Sequence, residues 1–252
     1  MPELRLEPAT ALTIAELAAV FTRGYEGYFV PMTLDEAAMR LFVDAFDVDL
    51  ARSRVAFLDG EPVGVANLAV RGDRAWVAGI GVAPSARRHG VGLALMEAIL
   101  AEAPATVTLE VLEQNEPAIA LYRRLGFEPS RILEIWSLTE EVAPVELQEV
   151  EARPLGLDDL PWQRADASLP PDAIRLDAGD GAVLLRAVAP AVSVLQLRAA
   201  DVATAELLLR AARSRGESLR YVNVPEGDVA SEALARLGGV VQLRQLELVL
   251  RR

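Results

Sequence analysis

The chain has 252 residues, 52% of them hydrophobic, enough for one large domain or two small ones. Cysteine is absent and histidine occurs once, which excludes disulfides, thiolate metal sites and a cysteine nucleophile and argues against a Ser-His-Asp triad or a multi-histidine metal centre. The formal charge of −12 argues against a nucleic-acid partner; no apolar run approaches the ~20 residues of a membrane span, and MPELRLEPAT lacks the marks of a signal peptide, so a cytoplasmic protein without metal, nucleic acid or membrane is expected.

In chain order the pattern predicts a strand over Glu3–Pro8, a helix over Thr13–Thr22, a turn-rich loop through Pro31 and a helix over Leu34–Phe46. Thr33-Leu34-Asp35-Glu36 sets a hydroxyl three residues ahead of a glutamate, the pattern of a capping box. Strands follow over Arg54–Asp59 and Pro62–Arg71, joined at Asp59-Gly60, a hairpin signal. Next come a strand over Arg74–Val82, a helix over Val91–Glu102, a strand over Thr106–Leu112, a helix over Pro117–Leu125 and a strand over Ile132–Leu138. Glu140–Glu149 is acidic, contains Pro144 and reads as a linker. Beyond it the expectation is a strand over Leu147–Arg153, a short helix near Leu157–Arg164, and strands near Ala173–Asp177 and Ala182–Ala187.

Ile80–Phe127 holds the densest chemistry. An apolar strand runs into a basic loop with Gly90 and Gly92, then into a helix. The first turn of a helix offers unpaired N–H groups and the positive end of its dipole. Glycines there let the backbone approach a diphosphate.

The pattern Arg87-x-x-Gly90-x-Gly92 is followed by Asn115-x-x-Ala118-x-x-Leu121-Tyr122-x-x-x-Gly126-Phe127. Together, in the strand–loop–helix context such a motif needs, they resemble the GNAT superfamily of acetyl-CoA-dependent N-acetyltransferases. The LEV…N…AI-LY run is similar to bacterial enzymes that acetylate protein N-termini. The resemblance implies an α/β fold, a mixed and mostly antiparallel sheet flanked by helices. It also implies acetyl-CoA as cosubstrate and direct attack of an amine on the thioester, which suits a chain without cysteine.

By the same resemblance Ile80, Gly81 and Val82 pair with the pantetheine arm. Arg87, Arg88, His89, Gly90, Val91, Gly92 and Leu93 form the pyrophosphate loop, with His89 at a variable position. Tyr122 matches the general acid. A phenol of pKa about 10 can protonate a departing thiolate of pKa about 8.5. Asn115 hydrogen-bonds near the thioester, caps the following helix, or both. Glu110 points away from Leu109 and Val111 and matches the base of the N-terminal-acetylating enzymes; the alternative is an ordinary polar strand face. Tyr25, Tyr28 and Phe29 fall where the family frames the acceptor; the alternative is local packing.

A shift of 112 sets Arg124-Leu125-Gly126 on Arg236-Leu237-Gly238 and aligns strand with strand and helix with helix. At that shift Arg87 falls on Ala199, Gly90 and Gly92 on Val202 and Thr204, Asn115 on Gly227 and Tyr122 on Leu234. The second copy also lacks roughly 34 residues in its early region, judged from a start offset near 146. We therefore expect a catalytic GNAT domain over 1–140 and a degenerate GNAT-like domain without a cofactor site over 141–252, in a monomer with internal pseudo-two-fold symmetry, a dimer being the alternative. The acceptor favoured is a small-molecule amine. A protein N-terminus is the second choice, and a non-catalytic acyl-CoA-binding or interaction protein is the third.

Overall fold

The computed structural model describes residues 3–252, in two compact units. The first comprises the chain through Glu110, Asn115–Pro129 and Leu248–Arg252. Its elements are β1 (Leu4–Pro8), α1 (Ile14–Gly24), α2 (Glu36–Ala45), β2 (Arg54–Leu58), β3 (Glu61–Arg71), β4 (Arg74–Val82), α3 (Val91–Glu102), β5 (Thr106–Leu112) and α4 (Glu116–Arg124). The strands lie in the order β1-β2-β3-β4-β5. They are antiparallel up to β4, and β4 and β5 are parallel, with α3 as the crossover that a parallel pair requires.

Alternation on β3 sorts the two faces. Val65 joins the core under α1 and α2 with Leu17, Phe21, Met39 and Val55. Gly64 faces the other way, where a Cβ would lie 3.2 Å from Leu95 of α3. Along α3 the buried residues Val91, Leu95, Met96 and Ile99 recur at helical spacing. At the hairpin, Asp59 and Gly60 both take positive φ, 50° and 87°, as a type I′ turn demands.

The second unit comprises Val111–Gln114 and Ser130–Glu247. It contains most of β6 (Glu128–Leu138), then β7 (Glu149–Val150), β8 (Ile174–Ala178), β9 (Gly181–Val188), β10 (Ala191–Arg198), α5 (Val202–Arg213), β11 (Ser218–Pro225), α6 (Val229–Arg236) and much of β12 (Val240–Arg251). Here β10 and β11 form the parallel pair, with α5 as crossover, and the order outward from β11 is β10-β9-β8-β7. Trp136, Leu138, Tyr221, Leu208 and Leu234 lie in its core.

Three expectations are corrected. The capping box forms at Thr13 and Glu16, and α2 is instead capped by Asp35, which accepts from Ala38 N at 2.8 Å. Leu34 cannot begin the helix, because its backbone N–H and C=O both bond the Thr22 hydroxyl. No α-helix forms near Leu157–Arg164; Gly156 (φ 61°) and Pro161 break the segment, leaving single 3₁₀ turns at Trp162–Arg164 and Asp166–Ser168. The strand expected over Leu147–Arg153 is only Glu149–Val150.

The division of the chain also differs from a cut at 140. Ser130–Leu138 of β6 counts with the second unit, where it pairs antiparallel with β11, Leu138 opposite Leu219. Leu248–Arg252 counts with the first, where Arg252 N donates to Ala105 O at 3.0 Å. Both β6 and β12 are long strands, and their sequence pattern alone does not assign their residues to a unit.

Gly24, the last residue of α1, packs directly on β4. A Cβ there would lie 2.7 Å from the carbonyl carbon of Gly81. Gly24→Ala should therefore destabilise the protein by about 1–3 kcal/mol, read as a lower Tm. Gly92→Ala is the control, because its Cβ would meet nothing nearer than 3.8 Å.

Candidate functional site

The ladder between β4 and β5 covers only Arg74–Trp76 against Thr106–Thr108. On its other side β4 carries a bulge: Leu68 faces Val77 and Asn67 faces Gly79, so Ala78 is the extra residue. A bulge bends and twists its strand, and beyond it β4 departs from β5. Ile80, Gly81 and Val82 lie on this diverging stretch, paired to β3 through Ala66, Val65 and Gly64.

The loop from Ala83 to Gly90 follows. Arg88 (φ 65°) and Gly90 (φ 78°) are both left-handed, and His89 Nδ1 lies 2.9 Å from Arg87 O, bracing the turn. Gly90 is the N-cap of α3 and has no side chain to cap it. The first intrahelical bond is Ala94 N to Gly90 O, which leaves the N–H groups of Val91, Gly92 and Leu93 without helical partners. No protein atom crowds Gly90, and Gly92 has only ordinary contacts. Such a bare helix start fits a diphosphate. Arg87 behaves differently: its guanidinium donates to the carbonyls of Val82 (2.9 Å), Gly24 (3.2 Å) and Glu26 (2.6 Å).

Asn115 caps α4, its Oδ1 accepting weakly from Ala118 N at 3.4 Å, and its side chain lies close enough to Tyr28 to oppose the burial-driven rise in that phenol's pKa. Pro117 in the first turn and Arg123-Arg124 in the last suit the helix ends, and Gly126 (φ 91°) ends the helix. One turn before that stop, Tyr122 is buried beside Phe127, ring centroids 6.0 Å apart. Burial raises its pKa far above the ordinary phenol value, with Tyr25 and Tyr28 adding to the rise. Tyr122 therefore keeps its proton across the physiological range; it can donate but cannot act as a base.

Glu110 lies on the face of β5 that bears Thr108, opposite the buried Leu109 and Val111. Trp76 Nε1 donates to its Oε2 at 2.6 Å, and Phe42 and Phe46 of α2 pack on the same indole, at 6.4 and 5.7 Å. No sequence signal marked this anchoring role of Trp76, because its partner Glu110 lies 34 residues away. Tyr25, Tyr28 and Phe29 form a chain of ring contacts, 5.1 and 5.3 Å. Tyr25 lies across β4, its hydroxyl 3.1 Å from the Cβ position of Gly79 and its ring 3.1 Å from that of Gly81. Phe29 is 52% exposed. The structure thus brings Tyr25, Tyr28, Asn115 and Tyr122 together and leaves Phe29 on the rim.

Residues 16–127 match the family described as "Acetyltransferase (GNAT) family". This segment is a GNAT domain. A curated relative, the mycothiol acetyltransferase of Nocardia farcinica, is 35% identical over 101 residues. That match spans 40% of this chain and only 33% of the relative. Among solved structures, a putative acetyltransferase from Pyrococcus horikoshii has a TM-score of 0.71 at 19% identity, covering 100% of this chain and 89% of its own. A tandem GNAT protein from the clavulanic acid biosynthesis pathway has a TM-score of 0.66 at 16% identity, covering 99% and 98%. A GCN5-related N-acetyltransferase from Sphaerobacter thermophilus has 0.64 at 18%, covering 98% and 95%. At these identities the solved structures speak to the fold alone. The family uses acetyl-CoA.

The second unit repeats the GNAT domain's strand–helix–strand crossover with a different loop. Pairing register equates Arg74 with Ala191, a shift of 117, because each faces the start of the next parallel strand, Thr106 or Ser218. The bulge shifts alike, from Ala78 to Leu195. At the helices the offset is 111, Val91 against Val202. The linking loop has eight residues in the first unit (83–90) and three in the second (199–201). So Arg87 has no counterpart, rather than being replaced by Ala199, and Gly90 corresponds to Asp201, not Val202. Asp201 caps α5, accepting from Thr204 N at 2.8 Å, and bonds from Thr204 and Ala203 hold its pKa below the usual carboxylate value. A carboxylate of the chain thus sits where the first unit has a bare helix start. Beyond the second bulge, Arg164 (6% exposed) spans the diverging strands. It donates to Leu195 O on β10 (3.4 Å), to Asn223 O on β11 (2.8 Å) and to the Tyr221 hydroxyl. Nothing in its sequence neighbourhood marked Arg164 for this place.

All four tyrosines have raised pKa values. Burial is the largest cause in each, and Tyr221, partly offset by Arg164, is pushed up to about 12. Above pH ~10 the unfolded chain loses phenolic protons before the folded one, so stability falls as pH rises from there and is fully present below. At about pH 10.5 the folded protein should show far less phenolate absorbance at 295 nm than the denatured chain, which titrates near 10.

Proposed function

We propose that the GNAT domain is an N-acetyltransferase acting on a small-molecule amine, with its acetyl-CoA site confined to the first unit. One observation carries this reading. The bare N-terminus of α3, the diverging end of β4, Glu110 and the buried Tyr122 all belong to the first unit, with an aromatic loop beside them. The name of the mycothiol acetyltransferase relative favours a small-molecule acceptor over a protein N-terminus.

Acetyl-CoA would supply the activated acetyl group as a thioester. The N–H groups of Val91, Gly92 and Leu93, with Arg88 beside them, would hold its diphosphate. The backbone of Ile80, Gly81 and Val82 would align the pantetheine arm. Glu110, fixed by Trp76, would accept the proton of the attacking amine, directly or through water. Tyr122 would donate its proton to the leaving sulfur, and Asn115 would hold the start of α4 so that this hydroxyl is aimed correctly. Tyr25, Tyr28 and Phe29 would frame the acceptor. The second unit would bind no acetyl-CoA, because its loop is five residues shorter, Asp201 occupies the helix start and Arg164 fills the space between the strands.

Calorimetry with acetyl-CoA should give one site per chain; two sites would sink the assignment of the second unit. Tyr122→Phe should leave the acetyl-CoA Kd within about twofold while lowering kcat by about 10²–10⁴ in an amine-screen assay. Unchanged turnover would remove Tyr122 from the mechanism. Glu110→Gln, which keeps an acceptor for Trp76, should lower kcat most below neutrality and shift the acid limb of the pH profile.

A further inference from the structure

The loop that carries the candidate diphosphate site also grips the end of α1. Arg87 turns back so that Nε bonds Val82 O, and Nη2 bonds both Gly24 O and Glu26 O. Gly24 ends α1. The final carbonyls of a helix lack intrahelical partners and carry the negative end of its dipole, which is where a cation belongs. The planar fork of arginine can serve several acceptors at once; a lysine would serve as a point charge. These contacts join positions more than 60 residues apart in the chain.

What hangs from the gripped segment is the aromatic loop. Tyr25, Tyr28 and Phe29 follow Gly24 directly, and the far end of the loop is closed by Thr22 against Leu34. The near end rests on β4 through the contact of Gly24 with Gly81. Arg87 is therefore the link between this loop and residues 88–93.

We propose that Arg87 is a positioning residue that couples the cofactor loop to the acceptor loop. Acetyl-CoA held at residues 88–93 fixes the Arg87 backbone, and the guanidinium passes that order to residues 24–29. The acceptor then binds a preformed aromatic wall. This rests on the reading of the first unit as an acetyl-CoA site. It also separates Arg87 from the diphosphate, whose charge is left to the helix start and Arg88.

The test is hydrogen exchange by mass spectrometry over residues 24–34, with and without acetyl-CoA, alongside calorimetric Kd values for wild type, Arg87→Ala and Arg87→Lys. Without ligand, Arg87→Ala should exchange faster in this segment by about tenfold, as expected for losing hydrogen bonds from a charged donor. Acetyl-CoA should slow the segment in wild type and not in Arg87→Ala, while the Kd changes by less than about threefold. Arg87→Lys should fall between the two. With an amine that the wild type acetylates, acceptor KM should rise far more than acetyl-CoA KM. A Kd weakened tenfold or more with loop exchange unchanged would overturn the proposal and make Arg87 a phosphate ligand. If wild type fails to bind acetyl-CoA, the proposed function falls, and the strap is judged on unliganded exchange alone: faster in Arg87→Ala supports it, unchanged refutes it. Should Arg87→Ala fail to fold, Arg87→Lys and Arg87→Gln carry the same comparison.

Discussion

A parallel pair of strands that stops after three residues is the constraint around which the first unit is arranged. The bulge at Ala78 turns β4 away from β5 beyond Trp76 and Thr108. Backbone groups past that point lose the neighbour a sheet would give them, and buried N–H and C=O groups must be paired by something. The second unit has the same bulge, at Leu195, and meets the demand from within: Arg164 donates to a carbonyl on each strand and to Tyr221. A guanidinium is suited to this because it stays protonated and offers five donors in a fixed plane. Among the described residues Arg164 makes no ion pair, so carbonyl and hydroxyl dipoles and the face of Tyr221, 4.4 Å away, offset its burial.

The two helix starts show the same contrast. The N-terminus of α3 has a glycine at its cap and no side-chain acceptor, while that of α5 has Asp201. An N-terminal dipole attracts an anion either way. In α5 the anion is part of the chain; in α3 no side chain supplies one. Loop length accompanies the difference in residue type: the eight-residue loop before α3 holds two left-handed positions, Arg88 and Gly90, while the three residues before α5 hold none.

On the opposite face of the sheet, small residues decide the geometry. Gly24, Gly79 and Gly81 allow α1 to end on the backbone of β4 and Tyr25 to lie across it. The price of that close approach is intolerance of any Cβ at Gly24. Burial then sets the chemistry of the phenols: desolvation penalises the charged form, so Tyr25 and Tyr122 remain neutral. A neutral Tyr122 retains the proton a donor needs while its raised pKa makes it a weaker acid, and the indole bond from Trp76 holds Glu110.

Much was legible in the sequence because it is written in local pattern. The bounds of α3 and β5 follow from apolar spacing and from Gly90, and the Asp59-Gly60 turn from its residue types. The likeness of Arg87–Gly92 and Asn115–Phe127 to GNAT proteins pointed to the family. The rest depended on contacts between distant segments, which carry no local signal. The start of α2 moved to Asp35 because Thr22 captured the backbone of Leu34. The closing strands fall across the 140 boundary because strand pairing, not local pattern, decides which unit each residue joins. The fixed shift of 112 missed the shorter loop, because it laid strand over strand and helix over helix although the strand register is 117 before the loop and the helix offset 111 after it. Arg87 read as a phosphate ligand because its neighbours are glycines, yet the three carbonyls it bonds lie at Val82, Gly24 and Glu26, two of them more than 60 residues away. Residue type and spacing determined which chemistry this chain can carry; tertiary structure decided which donors were already committed, because a hydrogen-bond partner is set by proximity in space and not by order along the chain.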